Sequence, residues 1–312
     1  MKEQVMDLWK ISFGDSDDFT QLYFERVYRE ENVLVIRENG RVISALQIRP
    51  CEMSYCGTIL PAAYVCNVCT LPSERGRGWM SQLMRQAIEV MHERGYAITT
   101  LIPATEELFG LYERFGYAKA FDRSVEMHFS EELPPDPSSC RIVSSRQLPP
   151  ETVYAYYNRK QREHPCTILH SADDWDILLQ DCRMTGGDAW LALWQDCPVG
   201  IALAVPDVPD DSNMIYVKEI VCEDTDIRFM LVQHIMKQAG CNMAFVYCSP
   251  VRSTARPYGM ARVLDRERMT DLYLSYHRPE DTSPLQETDI GRLTQTLLRY
   301  DRKEARMNLM LD

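Results

Sequence analysis

The sequence predicts an α/β (α+β) protein made of two successive domains, each with a mixed, twisted sheet flanked by helices. Three observations lead to this fold class. An apolar strand, a glycine-containing turn and an amphipathic helix follow one another between Tyr64 and Arg94. Upstream of that unit, Asn39-Gly40 separates two apolar runs and signals a hairpin. The order of hairpin, strand, helix and strand then recurs, which indicates a duplicated domain plan. The predicted elements of this second copy are strands at 189–194, 199–205, 213–222 and 243–249 and a helix over residues 225–239, ended by Gly240.

The first half begins with two predicted helices, over residues 4–12 and 19–29. The loop between them carries Asp15, Asp17 and Asp18, which either attract an amine or simply favour the start of the second helix. Strands are predicted next and are listed together: 33–37, 42–49, 64–70, 97–102 and 125–129, with a short helix over 106–115. The run 97–102 is continuously apolar and ends at Pro103, so we expect a buried strand parallel to 64–70 across the helix.

The turn after residue 70 has the composition of an anion-binding turn. Leu71-Pro72 ends the strand, because proline cannot donate to a ladder. Arg75-Gly76-Arg77-Gly78 then brings two residues without a Cβ to the start of a helix. Several backbone N–H groups can point to one place in such a turn, where the helix dipole favours a phosphate. The alternative is a surface turn whose glycines serve geometry alone.

These residues resemble motif A of the GNAT acyltransferases. The similarity is carried by Val68-Cys69-Thr70-Leu71-Pro72 followed by Arg75-x-x-Gly78-x-Met80, against a family pattern of Gln/Arg-x-x-Gly-x-Gly/Ala. A bulky residue such as Met80 in the last position is similar to the enhanced intracellular survival (Eis) branch. That branch also shares Leu111-Tyr112-Glu113-Arg114-Phe115-Gly116-Tyr117. Both matches lie in the first 120 residues, and the remaining chain is similar to the branch only in outline.

The resemblance implies tandem GNAT-like domains and acetyl-CoA as the cosubstrate. It places the pantetheine arm along residues 68–70, where a backbone N–H would polarise the thioester carbonyl, and Tyr112 beside the departing sulfur. It further implies that the terminal carboxylate, on Asp312, reaches back and acts as the base. The alternatives are ordinary strand residues at 68–70 and a core aromatic at 112. The implied cosubstrate-binding residues are Val68, Cys69, Thr70, Arg75, Gly76, Arg77, Gly78, Trp79, Met80 and Ser81.

The predicted domain limits are 1–133 for the acetyl-CoA-binding domain, 139–251 for the second domain and 252–312 for a short segment that packs on both. A proline-rich linker, Leu133-Pro134-Pro135-Asp136-Pro137-Ser138-Ser139, marks the first boundary. In the second domain Glu223-Asp224-Thr225-Asp226 stands where the first has its glycine turn. Three carboxylates at that position repel a diphosphate, so we expect no cofactor there.

The final segment resembles a truncated sterol-carrier-like domain of the Eis branch. Residues 260–265 look like the start of that domain and residues 290–298 like its late helix, with the sheet between them missing. A helical tail without family meaning is the alternative. About 60 residues bury little core alone, so we expect the segment to pack on the two domains.

Composition argues against several functions. With 34 Lys and Arg against 46 Asp and Glu, the formal net charge is −12, which disfavours nucleic acid and anionic membranes and favours cationic partners. We find no export signal and no apolar run of membrane-spanning length, so a cytoplasmic location is expected. Eleven cysteines are expected to be thiols. Cys66 and Cys69 should point to opposite faces of a strand, so no metal is predicted.

The predicted function is acetyl transfer from acetyl-CoA to a primary amine of a small cationic or peptide acceptor, by direct attack on the thioester. A non-catalytic acyl-CoA-binding or scaffold protein of the same fold is the alternative. Arg75, Gly76, Gly78 and Tyr112 together favour the N-acetyltransferase, since a scaffold does not need all four. A homo-oligomer is compatible with the sequence, which leaves the identity of the acceptor open.

Overall fold

The computed structural model describes residues 1–130, 140–207, 213–251 and 253–311. The linker predicted at 133–139 and the predicted base Asp312 lie outside the described residues. The helices are α1 (Lys2–Ser12), α2 (Asp17–Leu22), α3 (Trp79–Glu93), α4 (Glu107–Glu113), α5 (Pro150–Arg162), α6 (Ala172–Met184), α7 (Thr225–Ala239), α8 (Arg266–His277) and α9 (Ile290–Leu297). The strands are β1 (Val33–Glu38), β2 (Arg41–Tyr55), β3 (Thr58–Thr70), β4 (Ile98–Leu101), β5 (Ala118–Phe129), β6 (Arg141–Ser144), β7 (Cys166–Leu169), β8 (Asp188–Trp194), β9 (Cys197–Pro206), β10 (Met214–Cys222), β11 (Met243–Cys248) and β12 (Arg256–Val263).

The described strands form one mixed sheet that runs through both halves. Its order is β1-β2-β3-β4-β12-β5-β11-β10-β9-β8-β6, with β7 paired to β2. The long strand β5 joins the halves, since its beginning pairs with β12 at Asp122↔Pro257 and its end pairs with β11 at Met127↔Phe245. The predicted fold class, a mixed sheet flanked by helices, is therefore confirmed.

The first half follows the predicted plan. β1 and β2 form the hairpin around Asn39-Gly40, and β3 lies antiparallel to β2. The amphipathic helix α3 then crosses over to β4, which is parallel to β3 as predicted. The apolar side of α3 packs on this sheet with Leu83, Met84 and Met91 buried. This packing fixes the start of α3 at the carboxyl end of β3.

The second half repeats this order. β8 and β9 form a hairpin, β10 pairs antiparallel with β9, and β11 follows α7 as a parallel neighbour of β10. The sequence analysis omitted β6, α5, β7 and α6. Each of these two strands has only four residues, and so short a run carries little periodic signal.

Residues 256–311 contact both halves of the sheet, since β12 pairs within the first half and the Leu309 N–H donates to Glu219 of β10 at 3.0 Å. β12 inserts between β4 and β5, with Met260 opposite Leu101 on one side and Lys119 on the other. Residues 260–263 thus belong to the central sheet, and the start of a further domain at residues 260–265 stays a prediction. Met260 and Ala261 are fully buried, which suits an internal strand covered on both faces. The domain limits themselves stay a prediction. None of the described helices combines the length and the apolar character needed to cross a bilayer.

Candidate active site

The turn between β3 and α3 contains the residues predicted to bind phosphate. Gly76 has a φ of +79° and Gly78 a φ of +84°, in the left-handed region that a Cβ disfavours. A Cβ at either position would meet no described atom within 4 Å, so conformation rather than crowding requires glycine here. Gly78 precedes α3, and its carbonyl accepts the N–H of Gln82 at 3.1 Å. The N–H groups of residues 79–81 therefore have no intrahelical acceptor.

The two arginines of this turn have different environments. Arg77 forms an ion pair with Glu74, which compensates its charge. Arg75 donates its Nε–H to the Thr70 carbonyl at 3.2 Å and forms no ion pair with any described residue. Its guanidinium is thus an uncompensated cation in the turn that leads to the N–H groups of residues 79–81. Free amides at a helix start, together with an unpaired arginine, suit a phosphate group.

The corresponding turn of the second half is built differently. Asp224 caps α7, and its Oδ1 accepts the N–H of Ile227 at 2.8 Å. Glu223 pairs with Arg159 at 2.9 Å and with Lys160 at 3.1 Å, and these hydrogen bonds lower its pKa. The sequence analysis therefore overestimated the repulsion of a diphosphate, because Glu223 is paired with two cations. The firmer reason to expect no diphosphate here is that the Asp224 carboxylate already occupies the helix start.

β3 and β4 separate just beyond their short parallel pairing. The register joins Ala62 to Ile98 and Tyr64 to Thr100 and extends no further. Residues 65–70 keep β2 on one side, but on the other side they have no strand partner among the described residues. An open strand edge can pair with an extended ligand through its N–H and C=O groups. The predicted pantetheine path along residues 68–70 fits this edge.

A β-bulge bends β3 where the two strands separate. Gln47 pairs with Cys66 and Ala45 with Cys69, so two residues of β3 stand opposite a single residue of β2. Asn67, within the bulge, has a φ of +55°, which asparagine tolerates better than most residues with a Cβ. Bulges re-aim the local backbone and side chains. This bulge therefore controls the direction of the backbone groups that face the gap.

A buried tyrosine holds the bulge in place. The Tyr23 hydroxyl accepts a hydrogen bond from Asn67 Nδ2 at 2.7 Å and donates one to Gln47 Oε1 at 2.7 Å. Tyr23 is 0% exposed and Gln47 2%. Burial raises the pKa of Tyr23 well above its ordinary value, so the hydroxyl stays protonated and keeps donating. Tyr23 belongs to the π-helical segment Tyr23–Val27 and thereby ties α2 to both strands of the bulge.

The bulge changes the geometry predicted for Cys66 and Cys69. The extra residue returns both side chains to one face of the sheet, where they stand opposite Gln47 and Ala45. The prediction that they point to opposite faces is wrong. Both are buried thiols, and burial raises the pKa of Cys69 to about 12. Across the described residues, no group of three His, Cys, Asp or Glu side chains could hold a metal ion.

Tyr112 lies on α4 at the same gap. It shares an apolar cluster with Val65 and Leu101, the residues at which β3 and β4 separate. Burial, with a smaller contribution from Cys66, raises the pKa of Tyr112 to about 12. Its hydroxyl is therefore neutral near pH 7, and it makes no hydrogen bond to another described residue. A neutral, unpartnered hydroxyl at this place can donate to a ligand atom.

The acidic loop between α1 and α2 combines capping with other contacts. Ser16, rather than an acid, is the N-cap of α2. Asp15 accepts a hydrogen bond from Trp9 Nε1 at 2.7 Å, and Asp17 pairs with Lys10 at 2.9 Å. The capping interpretation is thus correct for the location, but the cap itself is supplied by serine.

The last described residues run back toward the bulge. The backbone of Arg306 exchanges hydrogen bonds of 2.9 and 3.1 Å with β7. Leu311 is 3% exposed and shares the apolar cluster of Tyr23 and Cys69. The predicted anchoring of the apolar end in a groove is therefore seen up to residue 311. The role of Asp312 stays a prediction.

The structure thus packs Val68, Met80 and Tyr112 in one apolar cluster, and the roles of the predicted site residues stay predictions. It also adds Tyr23, Gln47 and Asn67, which sequence reasoning missed. An available signal was an asparagine inside a run of apolar and β-branched residues, since asparagine is depleted in strands.

The first part of the chain is similar in sequence to known proteins. Residues 2–120 match the family described as Acetyltransferase (GNAT) domain. An uncharacterized N-acetyltransferase of Streptomyces avermitilis is 31% identical over 84 residues, which is 27% of this chain and 19% of that protein. The aligned part is therefore less than a fifth of the length of the curated relative.

Solved structures resemble the chain over most of its length. A probable N-acyltransferase of Enterococcus faecalis V583 matches with a TM-score of 0.73 and 16% identity, covering 87% of this chain and 72% of that one. Eis1 of Mycobacterium abscessus matches with a TM-score of 0.67 and 15% identity, covering 86% and 72%. A tandem GNAT protein of the clavulanic acid biosynthesis pathway matches with a TM-score of 0.52 and 12% identity, covering 84% and 94%. At such low sequence identities, these matches show a shared fold and nothing more.

The family match covers the residues that form the glycine turn, the open strand edge and α4, and the structural matches extend over both halves. Residues 2–120 therefore match the GNAT acetyltransferase domain family, and the fold of the described chain is similar to those of Eis1 and of the tandem GNAT protein.

Proposed function

We propose that the protein is an acetyl-CoA-dependent N-acetyltransferase that acetylates a primary amine of a small cationic or peptide acceptor. The observation that carries this proposal is the meeting of three features at one gap in the sheet: the glycine turn, the open edge of β3 and the Tyr112 hydroxyl. A protein that only binds acyl-CoA needs the turn and the edge. A buried tyrosine whose hydroxyl has no partner among the described residues is useful for chemistry at the gap.

The residues of the gap fit acetyl-CoA. The N–H groups of residues 79–81 and the Arg75 guanidinium would hold its phosphates, with Gly76 and Gly78 allowing close backbone approach. Residues 68–70 would pair with its pantetheine arm. When bound, acetyl-CoA supplies an acetyl group activated as a thioester. The formal net charge of −12 favours a cationic acceptor.

Direct attack of the amine on the thioester is favoured over transfer through a cysteine. A thiol with a pKa of about 12, as at Cys69, is a poor source of nucleophilic thiolate near pH 7. In the direct reaction a bond forms between the amine nitrogen and the carbonyl carbon. The carbon–sulfur bond then breaks, and its electron pair leaves with the sulfur. A backbone N–H beside the bulge would stabilise the carbonyl oxygen as it gains charge.

Tyr112 would assist the departing sulfur with a hydrogen bond. Full proton transfer from a phenol with a pKa of about 12 to a thiolate with a pKa of about 8.5 is uphill by about 5 kcal/mol. Tyr112 therefore stabilises developing charge and keeps its proton until the thiolate is released. Proton removal from the amine needs another group, since a lysine-like amine is protonated at pH 7 and its deprotonation costs roughly 4 to 5 kcal/mol.

Asp312 is the base that we propose for this proton. A carboxyl group with a pKa near 3.5 is too weak to deprotonate an ammonium ion, but it can accept a proton from the nitrogen once the new bond acidifies it. The buried course of residues 306–311 toward the cluster of Tyr23 supports this placement. We also place the protein in the cytoplasm, since eleven free thiols suit a reducing compartment.

Release of free thiol from acetyl-CoA, measured across a panel of amines, tests the activity. Gly78→Asp should abolish acetyl-CoA binding in calorimetry, because the carboxylate meets the phosphates and strains a φ of +84°. Gly95→Asp is the matched control, since Gly95 follows the other end of α3 with a φ of +73° and equally open surroundings. Equal binding by the two variants would contradict the phosphate site.

Tyr112→Phe separates catalysis from binding. It should lower kcat by about ten- to ten-thousand-fold and leave affinity for acetyl-CoA nearly unchanged, in the range for loss of one acid or oxyanion donor. Binding of acetyl-CoA without thiol release for any amine would favour the non-catalytic alternative. The wild type should bind one equivalent of CoA per chain, and two equivalents would contradict the prediction that the second half binds no CoA.

A further inference from the structure

A cleft of about 520 Å³ lies in the second half of the sheet. It is formed in the same way as the gap in the first half. β10 and β11 pair in parallel only as far as Val217 and Val246 and then separate, and β10 carries a bulge at Lys218. Residues 218–222 line the cleft, and on that side the described chain gives them no strand partner. The position matches the gap between β3 and β4, but the side chains differ.

Two cations of the cleft share one aromatic ring. The Arg123 guanidinium lies 4.2 Å from the centroid of the Tyr247 ring and 3.8 Å from that of Tyr258, and Lys218 Nζ lies 5.6 Å from that of Tyr247. Neither cation forms an ion pair within 4 Å with a described residue. Burial and the Arg123 charge lower the pKa of Lys218, although Asp181 offsets part of this effect. Two like charges held together in this way favour an anion between them.

Most acids of the cleft are engaged elsewhere. Asp122 pairs with Lys303 at 2.7 Å, and Glu126 pairs with Arg228 at 2.7 Å. Asp224 caps α7 through its own carboxylate. These acids therefore do little to cancel the charge of the two cations on the Tyr247 ring.

Glu219 is the remaining acid of the cleft. Its Oε2 accepts the N–H of Leu309 at 3.0 Å, and it lies within electrostatic range of Arg123 and Arg306 without an ion pair to either. Burial raises the pKa of Glu219 to about 7, so it is largely neutral in mildly acidic solution. The cleft thus keeps an excess of positive charge although the chain as a whole is acidic.

We propose that this cleft binds a small anionic molecule, with its carboxylate or phosphate group between Arg123 and Lys218. A volume of about 520 Å³ lies in the range of small-molecule sites. The capped start of α7 disfavours a diphosphate, so the ligand differs from the cosubstrate of the first half. The proposal is independent of the acetyltransferase activity, because it rests on other residues.

Calorimetric titration of the full chain tests the proposal, with succinate and inorganic phosphate as probes and neutral succinamide as the comparison. All titrations use the Gly78→Asp background, so that phosphate cannot be held by the turn at residues 75–81. Lys218→Met should weaken anion binding more than tenfold, whereas Lys218→Arg should keep it within about threefold because the charge remains. Lys237→Met, an exposed lysine at the end of α7, is the matched control and should change nothing.

Preference for succinate or for phosphate identifies the anionic group, and either supports the site. Equal affinity for succinate and succinamide, no binding of either anion, or anion binding unaffected by Lys218→Met would overturn the proposal. Thermal unfolding of each variant shows whether it is folded. Should Lys218→Met not fold, Arg123→Gln provides the same comparison from β5, with the exposed Arg141→Gln as its control.

Discussion

Replacing Tyr23 with phenylalanine tests whether the bulge in β3 depends on one hydroxyl. The ring keeps its shape and its packing, but two hydrogen bonds of 2.7 Å, with Gln47 and Asn67, and a contact of 3.7 Å with Cys66 Sγ are lost. A buried polar group left without its partner costs about 1 to 3 kcal/mol. Gln47 is almost fully buried and its Nε2 already lacks a partner, so its carbonyl would be left unsatisfied as well. With Asn67 only half-buried, we expect a loss of about 2 to 4 kcal/mol in the free energy of unfolding.

The same substitution should lower turnover, because it removes the 2.7 Å hydrogen bond that holds Asn67 and leaves its side chain only the contact with Cys66 Sγ at 3.3 Å. A backbone donor removed from a reacting carbonyl costs about 100- to 1,000-fold in kcat, and a donor that is only misdirected costs less. We therefore expect kcat to fall about tenfold or more, while the affinity for acetyl-CoA changes little because the turn at residues 75–81 is untouched.

Tyr28→Phe is the matched control for this experiment. Tyr28 is buried in the same cluster and stacks on Phe24 with ring centroids 5.1 Å apart, but its hydroxyl has no hydrogen-bond partner. Its removal should change the free energy of unfolding by less than about 1 kcal/mol. Urea unfolding and thiol release measured on both variants decide the matter. If Tyr23→Phe and Tyr28→Phe behave alike in both assays, the Tyr23 hydroxyl has no role in holding the bulge.

Two further predictions concern Glu219 and Asp312. The pKa of Glu219 is about 7 against an ordinary 4.5, because burial favours its neutral form. Its contribution to the free energy of unfolding is therefore fully present below about pH 4.5 and is lost as the pH rises through 7. The loss is at most about 3 kcal/mol. Glu219→Gln should flatten the decline in urea stability between about pH 5 and 8, and an unchanged decline would exclude Glu219 as its cause. Deleting Asp312 or adding a C-terminal tag should cut turnover sharply, whereas an N-terminal tag should not; equal activity of the two tagged forms at equal CoA affinity would exclude Asp312 as the base.

The elements that sequence predicted well are those with local signals at both ends. The helix predicted over residues 225–239 is α7 with the same limits, since Asp224 supplies its cap and Gly240 follows it with a φ of +66°. The hairpin at Asn39-Gly40 and the turn at Gly76 and Gly78 were predictable for the same reason. At each of these positions a residue with special backbone freedom stands where the chain reverses or enters a helix.

Elements that depend on distant contacts were not predictable. β12 is placed by pairing with β4 and β5, which lie more than 130 residues earlier in the chain, and nothing in residues 256–263 names those partners. The hydrogen bonds of Tyr23 to the bulge were equally unpredictable, because Gln47 and Asn67 lie 24 and 44 residues further along the chain. Alternation along β3 gave the wrong face for Cys69, since one extra residue reverses every later side chain.

Comparison of the two halves of the sheet shows what the backbone and the side chains each contribute to ligand choice. Each half has a parallel strand pair that separates at a bulge, so the backbone arrangement alone does not decide what is bound. The residue in the bulge is Asn67 in one half and Lys218 in the other, and the helix start is Gly78 in one and Asp224 in the other. The bulge residue and the residue at the helix start therefore determine the charge of the ligand that each gap accepts and the place where its charged group binds. It follows that exchanging Asp224 for glycine would be insufficient to create a second acetyl-CoA site, because the charged bulge and the tail at Leu309 would still line the second cleft.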